Sequence, residues 1–325
     1  MIDTIKLRVA NGLFQPKDAS TYPWKSAIYS DPDLKTGETR RNTVQSLTHD
    51  GVTVGIHNSG RLLTMEASLP KLMYGNNLSR VSRPTMALRR LRELVRDLVT
   101  GPIPGLADSE CLRVDFCYNF FVGDQLPDYL AAISKLPHSR QRFVYNGARS
   151  IEWSSNNGRR IILYDKDLEM QHNDRIAAPE AKGILRFEVQ IRKKSGFLQR
   201  RLNTQYLVTG DVVSAAVAYA CLGETVAAIG MDRTFKPADI ARSVLARNFS
   251  GSTVNRLLGL HHRLQTEPLE TVKRSMGRST FFEGLRQLKR VGLWPVSMSS
   301  VELSPLKLPP IGELISDQEI KITTV

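Results

Sequence analysis

The stretch ILRFEVQIRK, residues 184–193, alternates apolar and polar side chains without a break from Leu185 to Arg192. Successive side chains of a strand point to opposite faces, so Leu185, Phe187, Val189 and Ile191 share one face. Arg186, Glu188, Gln190 and Arg192 share the other. CLRVDFCYN, residues 111–119, has the same design, with Leu112, Val114, Phe116 and Tyr118 set against Arg113, Asp115, Cys117 and Asn119. An acid beside an arginine therefore recurs on the non-core face of two strands. In RRIILYDK, residues 159–166, Tyr164 and Lys166 fall on one face with Ile162, while Leu163 and Asp165 fall on the other. If the three strands share a sheet, Asp115, Glu188, Tyr164 and Lys166 converge on one surface.

Outward from these strands, alternation predicts others at residues 2–9, 51–57, 61–69 and 141–146, with Asn58-Ser59-Gly60 as a turn between the second and third. Residues 85–100 place Leu88, Leu91, Leu94, Val95 and Leu98 on one helical stripe and four arginines elsewhere, and residues 126–136 predict a short helix. Interleaved strands and helices of this kind predict an α+β domain over residues 1–205, a mainly antiparallel sheet with flanking helices. From 206 to 304 the texture is helical, predicting a smaller all-α domain. There, residues 268–295 read as two helices around Gly277, the second opened by a capping box from Thr280 to Glu283 and carrying Arg286, Lys289 and Arg290 on its polar face. That spacing suits a helix-turn-helix whose second helix enters a DNA groove, and equally two packed surface helices. Residues 305–325 predict a loosely ordered tail.

The chain has 325 residues and a net charge of +13, from 45 Lys and Arg against 32 Asp and Glu. Such an excess favours a polyanionic partner. Its 3 cysteines form no C-x-x-C pair, which fits a reducing cytoplasm. The apolar region 212–230 is broken by Gly223-Glu224-Thr225, so a buried alanine-rich helix is expected there rather than a membrane span. The amino end lacks the pattern of a signal peptide.

The converging side chains have the parts to cleave a phosphodiester. Two carboxylates can hold a hard divalent cation. Tyr164 would attack phosphorus, with the metal or Lys166 favouring the phenolate, and a free DNA hydroxyl left behind could reverse the step. Each part also has a plain reading: a packing tyrosine, and surface ion pairs. Isolated histidines and the absence of a phosphate-binding glycine loop argue against a histidine metal cluster and an NTP-driven motor.

MIDTIKLRV (1–9), EASLPKLMYGNN (66–77), LRVDF (112–116), ILYDKDLEMQ (162–171) and LRFEVQIRKK (185–194), with GRSTFFEGLRQLKRVGL (277–293) beyond them, resemble in sequence and order the replication initiators of filamentous phages, the gene II/gene X protein family. The resemblance implies a rolling-circle initiator with a nuclease core. Such a protein nicks the plus strand of double-stranded replicative DNA at its origin, stays joined to it through a tyrosine, and later closes the displaced single strand into a circle. The family's tyrosine falls on Tyr164, and its acids fall on Asp115, Glu169 and Glu188. The resemblance further implies magnesium or manganese, a host helicase and DNA polymerase as partners and a bacterial host cytoplasm; no membrane is expected, and assembly as an oligomer on DNA is left open. The His-hydrophobic-His metal motif of many other nicking initiators is missing, so a metal would rest on carboxylates. DNA contacts are expected from Lys71, Asn76, Asn77, Arg89, Arg90, Arg92 and Arg96, from Arg113 and Arg186, and from the terminal Arg286, Lys289 and Arg290. A non-catalytic DNA-binding regulator of replication remains the alternative, although it would not need Tyr164, Lys166, Asp115 and Glu188 together.

Overall fold

The computed structural model describes residues 1–17, 20–32, 39–79, 81, 83–136, 142–145, 149–155, 158–173, 179–237, 239–267, 269–294, 296 and 302–315. The first half contains β1 (Ile2–Ala10), β2 (Gln15–Pro16), β3 (Lys25–Pro32), β4 (Thr39–His49), β5 (Val52–His57), β6 (Leu62–Ser68), α1 (Leu69–Tyr74), α2 (Pro84–Leu98), β7 (Val99–Thr100), β8 (Glu110–Phe121) and α3 (Leu126–Ser134). The pieces β9 (Arg142–Tyr145), β10 (Ser150–Ser154), β11 (Arg159–Asp165), α4 (Lys166–Asn173) and β12 (Ile184–Arg192) complete the strands. Helices α5 (Phe197–Leu202), α6 (Thr209–Val212), α7 (Ala215–Ile229), α8 (Ala241–Asn248), α9 (Gly251–Thr266), α10 (Leu269–Ser275), α11 (Arg278–Arg290) and α12 (Ile311–Ile315) follow.

Ten of the strands form one sheet in the order β3-β4-β5-β6-β1-β8-β12-β11-β10-β9, and every pairing in it is antiparallel. The chain is therefore an α+β protein built on a large antiparallel sheet. The alternation explains its two faces. Ile5 and Leu7 of β1, Leu63 and Met65 of β6, Val114 and Phe116 of β8, Phe187 and Val189 of β12, Ile161 and Leu163 of β11 and Trp153 of β10 are buried in one apolar cluster. Leu88, Leu91 and Val95 of α2, Leu130 of α3 and Leu222 of α7 close over it. Burying each such side chain contributes about 1.5–3 kcal/mol. Helix cover on one face leaves the opposite face, with Lys6, Arg113, Glu188 and Tyr164, to carry chemistry.

Strands β3 and β4 and the short helix α1 were not foreseen. TRRNTVQSLTH has no clean alternation because it lies near a sheet edge, and LPKLMY reads as a loop until Gly75, at φ 75°, terminates it as a helix. The long apolar segment forms α7 as expected, and among the described residues no helix is long and apolar enough to cross a membrane.

The packing divides the chain elsewhere than at residue 205. Leu207, Val212, Leu222, Met231 and Phe235 belong to the cluster under the sheet, whereas a second cluster begins at Ala241 and runs through α8, α9 and α11 to Val296. Nor is the start of the tail loose. The Leu306 amide donates to the Met231 carbonyl at 2.8 Å, and just before the tail Leu303 pairs with Phe235 and the Tyr129 hydroxyl donates to the Ser304 carbonyl at 2.9 Å. Residues 316–325 lie outside the described part.

In the second cluster α11 starts at Arg278 with Gly277 as its N-cap and no side-chain cap, so the capping box expected from Thr280 to Glu283 does not form; Glu283 pairs with Arg286 instead. His261 of α9 is buried there, and that burial, with His262 second, lowers its pKa from 6.5 to about 4. A depressed folded-state pKa means that the unfolded chain binds the proton first. The stability it protects is complete above pH 6.5 and falls as the pH drops toward 4, by about 3 kcal/mol in all. Urea denaturation at pH 7 and pH 5 should show this loss in the wild type and a smaller one in His261→Leu; equal losses would remove His261 from the account.

Candidate active site

Strands β11 and β12 pair with Tyr164 opposite Arg186 and Ile162 opposite Glu188, which makes Tyr164 and Glu188 diagonal neighbours on the polar face. The phenol donates to Glu188 Oε1 at 2.7 Å. The same oxygen accepts from Arg186 Nε, also at 2.7 Å. Arg186 is only 1% exposed. Its Nη1 donates to the Asn77 carbonyl at 2.6 Å and to Asn119 Oδ1 at 3.3 Å, and its Nη2 lies 3.2 Å from Asp3 Oδ1. Asp3 sits where the pairing of β1 with β8 slips between Ile2 and Ile5, a bulge that re-aims a side chain, and Ser68 also donates to it at 3.1 Å.

Arg186 is thus the organiser of the tyrosine–glutamate pair, not a surface cation for DNA. Arg186→Met would leave Glu188 and Asp3 without their shared cation. Removing one partner of a buried pair costs about 3–5 kcal/mol. A fall in the unfolding free energy by that amount, read from urea denaturation, is expected, and Arg186→Lys should recover only part of it, because the planar fork is lost. A midpoint within experimental error of wild type would refute the role.

Asp115, 2% exposed, accepts from Arg113 Nε at 2.9 Å and from Arg113 Nη2. Arg113 Nη1 reaches Glu66 Oε1 at 2.9 Å, and Glu66 also holds Lys6 at 3.0 Å. With its amide turned, Gln190 accepts from Arg113 as well. Burial raises the Asp115 carboxyl to about 6 despite the opposing pull of Arg113. Asp115 lies opposite Gln190, one polar-face step from Glu188, so the two acids share the surface.

The strand ends one residue earlier than RRIILYDK suggests. Asp165 Oδ1 accepts from the Asp167 and Leu168 amides at 3.0 and 3.3 Å, capping α4, whose first residue is Lys166. Lys166 therefore does not share a strand face with Tyr164. Its side chain is fully buried, bonds Glu169, and has its Nζ 5.8 Å from the Tyr164 ring centroid. Burial first, then Arg186, pushes this ammonium below its ordinary range. Burial, followed by Glu188, pushes the Tyr164 phenol well above 10. Among the described residues the phenol's hydrogen bond goes to Glu188 and none comes to it from a cation.

Other expected DNA contacts are placed differently. Asn76 Oδ1 accepts from the Leu78 and Ser79 amides and is spent within its own turn; Asn77 is buried. Lys71 is half-buried on α1. Arg92 caps the Ile103 carbonyl at 2.8 Å, whereas Arg89, Arg90 and Arg96 are exposed on α2, in the helix layer over the apolar face and away from Tyr164. Arg286, Lys289 and Arg290 are exposed on α11, with Arg286 bonded to Glu283 and Arg290 stacked 4.9 Å from the Phe249 centroid.

A cleft of about 560 Å³ opens beside Tyr164, between α4 and strands β10 and β11, with Arg149, Ile162, Leu168, Gln171 and His172 on its walls. Sequence reading missed Arg149, Asp3 and Glu66, none of which lies on the strands where the acid–arginine alternation recurs. The magnesium site implied at Asp115, Glu169 and Glu188 does not fit. Each carboxylate is engaged by a side-chain cation, from Arg113, Lys166 and Arg186 respectively. Among the described residues no group of three or more His, Cys, Asp or Glu is placed to hold a metal ion. No family model and no curated protein matches the chain.

Proposed function

We propose that the chain cuts and rejoins one strand of DNA through Tyr164, as a rolling-circle initiator does at an origin. The observation that carries this reading is the 2.7 Å hydrogen bond from the Tyr164 phenol to the Glu188 carboxylate at the edge of an open cleft. A nucleophile held by a base, with the base oriented by a third group, is the arrangement covalent catalysis requires, and Arg186 is that third group. The net charge of +13 supports a polyanionic substrate.

In the reaction, Tyr164 Oη attacks phosphorus in line while its proton passes to Glu188. The P–Oη bond forms as the bond to the departing sugar oxygen breaks, and that oxygen takes up a proton from water to become a free hydroxyl. Attack by such a hydroxyl on the phosphotyrosine reverses each step and returns the proton to Tyr164. Arg149 at the cleft is suited to hold the phosphate. The helices α10 and α11, exposing Arg286, Lys289 and Arg290, are proposed to grip duplex DNA.

The competing reading, a DNA-binding regulator, draws on the neutralised carboxylates and the raised phenol. Incubation with supercoiled circular origin DNA, with magnesium and with chelator, followed by denaturing electrophoresis with and without protease, separates the two. A nick with protein attached to one DNA end supports the enzyme. Tight, salt-sensitive binding without a nick in either buffer supports the regulator.

A further inference from the structure

Ile162 faces the polar side of the sheet, between Glu188 and Glu152 of the neighbouring strands. It belongs to none of the three apolar clusters among the described residues, and neither does Leu168 of α4, which is 39% exposed. Both line the cleft beside Tyr164. The two aliphatic side chains, half-buried Ile162 on the polar face and exposed Leu168 on α4, lie outside every core cluster. Facing a cleft, they offer two apolar surfaces to something flat, and Arg149, Gln171 and His172 around them supply polar groups. The volume, about 560 Å³, lies in the range of roughly 300–1,000 Å³ typical of small-ligand pockets.

A nucleobase has that chemistry: apolar faces, a polar edge and a phosphate at a fixed distance. We propose that the cleft receives the base of the nucleotide adjoining the phosphate that Tyr164 attacks, turned out of its stack between Ile162 and Leu168. The proposal rests on Tyr164 as the nucleophile toward DNA. Turning a base out is least costly in single-stranded DNA, so the cleft favours a melted or displaced strand over intact duplex. It also fixes the phosphate, because a seated base holds its own backbone within reach of the phenol.

The test uses the full chain and single-stranded oligonucleotides spanning its nick, each carrying one abasic position, with the rate of protein–DNA adduct formation as readout. One abasic position next to the nick is expected to slow adduct formation about tenfold, the scale of a lost base-stacking contact. Leu168→Ser, at an exposed position of α4, should slow the intact oligonucleotide similarly and add less than about twofold to that abasic one. Uniform rates across all abasic positions, with adduct still formed, overturn the base subsite and leave the nucleophile standing. Fully multiplicative losses also overturn it, because the base would not then touch Leu168. Absence of adduct on every oligonucleotide overturns the nucleophile and the subsite together.

Discussion

Tyr164→Phe is expected to abolish the protein–DNA adduct and to lower nicking by about three orders of magnitude or more, as loss of a covalent nucleophile does. Binding to the same DNA should stay within a few-fold of wild type, since the ring and its position on β11 are unchanged. The fold should lose little. Glu188 keeps its bond from Arg186 Nε, so the variant forfeits one hydrogen bond, worth about 1 kcal/mol. Paired nicking and binding titrations on one DNA decide the matter. Parallel loss of both would mean that the phenol supports the structure and that cleavage, if present, belongs elsewhere. A nick that persists without attached protein would point to hydrolysis.

Why the sequence disclosed the tyrosine and the glutamate but not their grouping follows from what alternation encodes. Period two tells which face Arg186, Glu188 and Asp115 occupy, and the structure places all three there. It does not give register. Whether Tyr164 comes within a step of Glu188 depends on the register of β11 along β12, which no single strand records. Asp3 was hidden for a different reason, because a bulge in β1 turns it and an isolated strand shows no bulge. Lys166 was misplaced because the run YDK continues a strand pattern while Asp165 is already capping α4. The core that α7 joins was hidden similarly. An apolar helix such as α7 announces burial without saying in which core, and its partner is the sheet.

Glu188→Gln should slow adduct formation by about 10²–10⁴-fold, the range associated with loss of a general base. The amide is nearly isosteric, and its oxygen still accepts from Tyr164 and Arg186 Nε, so binding and urea midpoint should change far less than the rate. A merely structural role predicts the reverse balance. The pH profile separates the roles further. Without Glu188 the phenol must lose its proton to solvent, and burial holds that phenol well above 10. The variant's rate should therefore climb about tenfold per pH unit between pH 7 and 9, whereas the wild-type rate, with its base in contact, should rise much less. Magnesium gives the last discrimination. If Glu188 were a metal ligand, raising the cation concentration would restore the variant toward wild type; if it is the base, the deficit persists at every concentration, because an amide cannot take the proton that Tyr164 must give up.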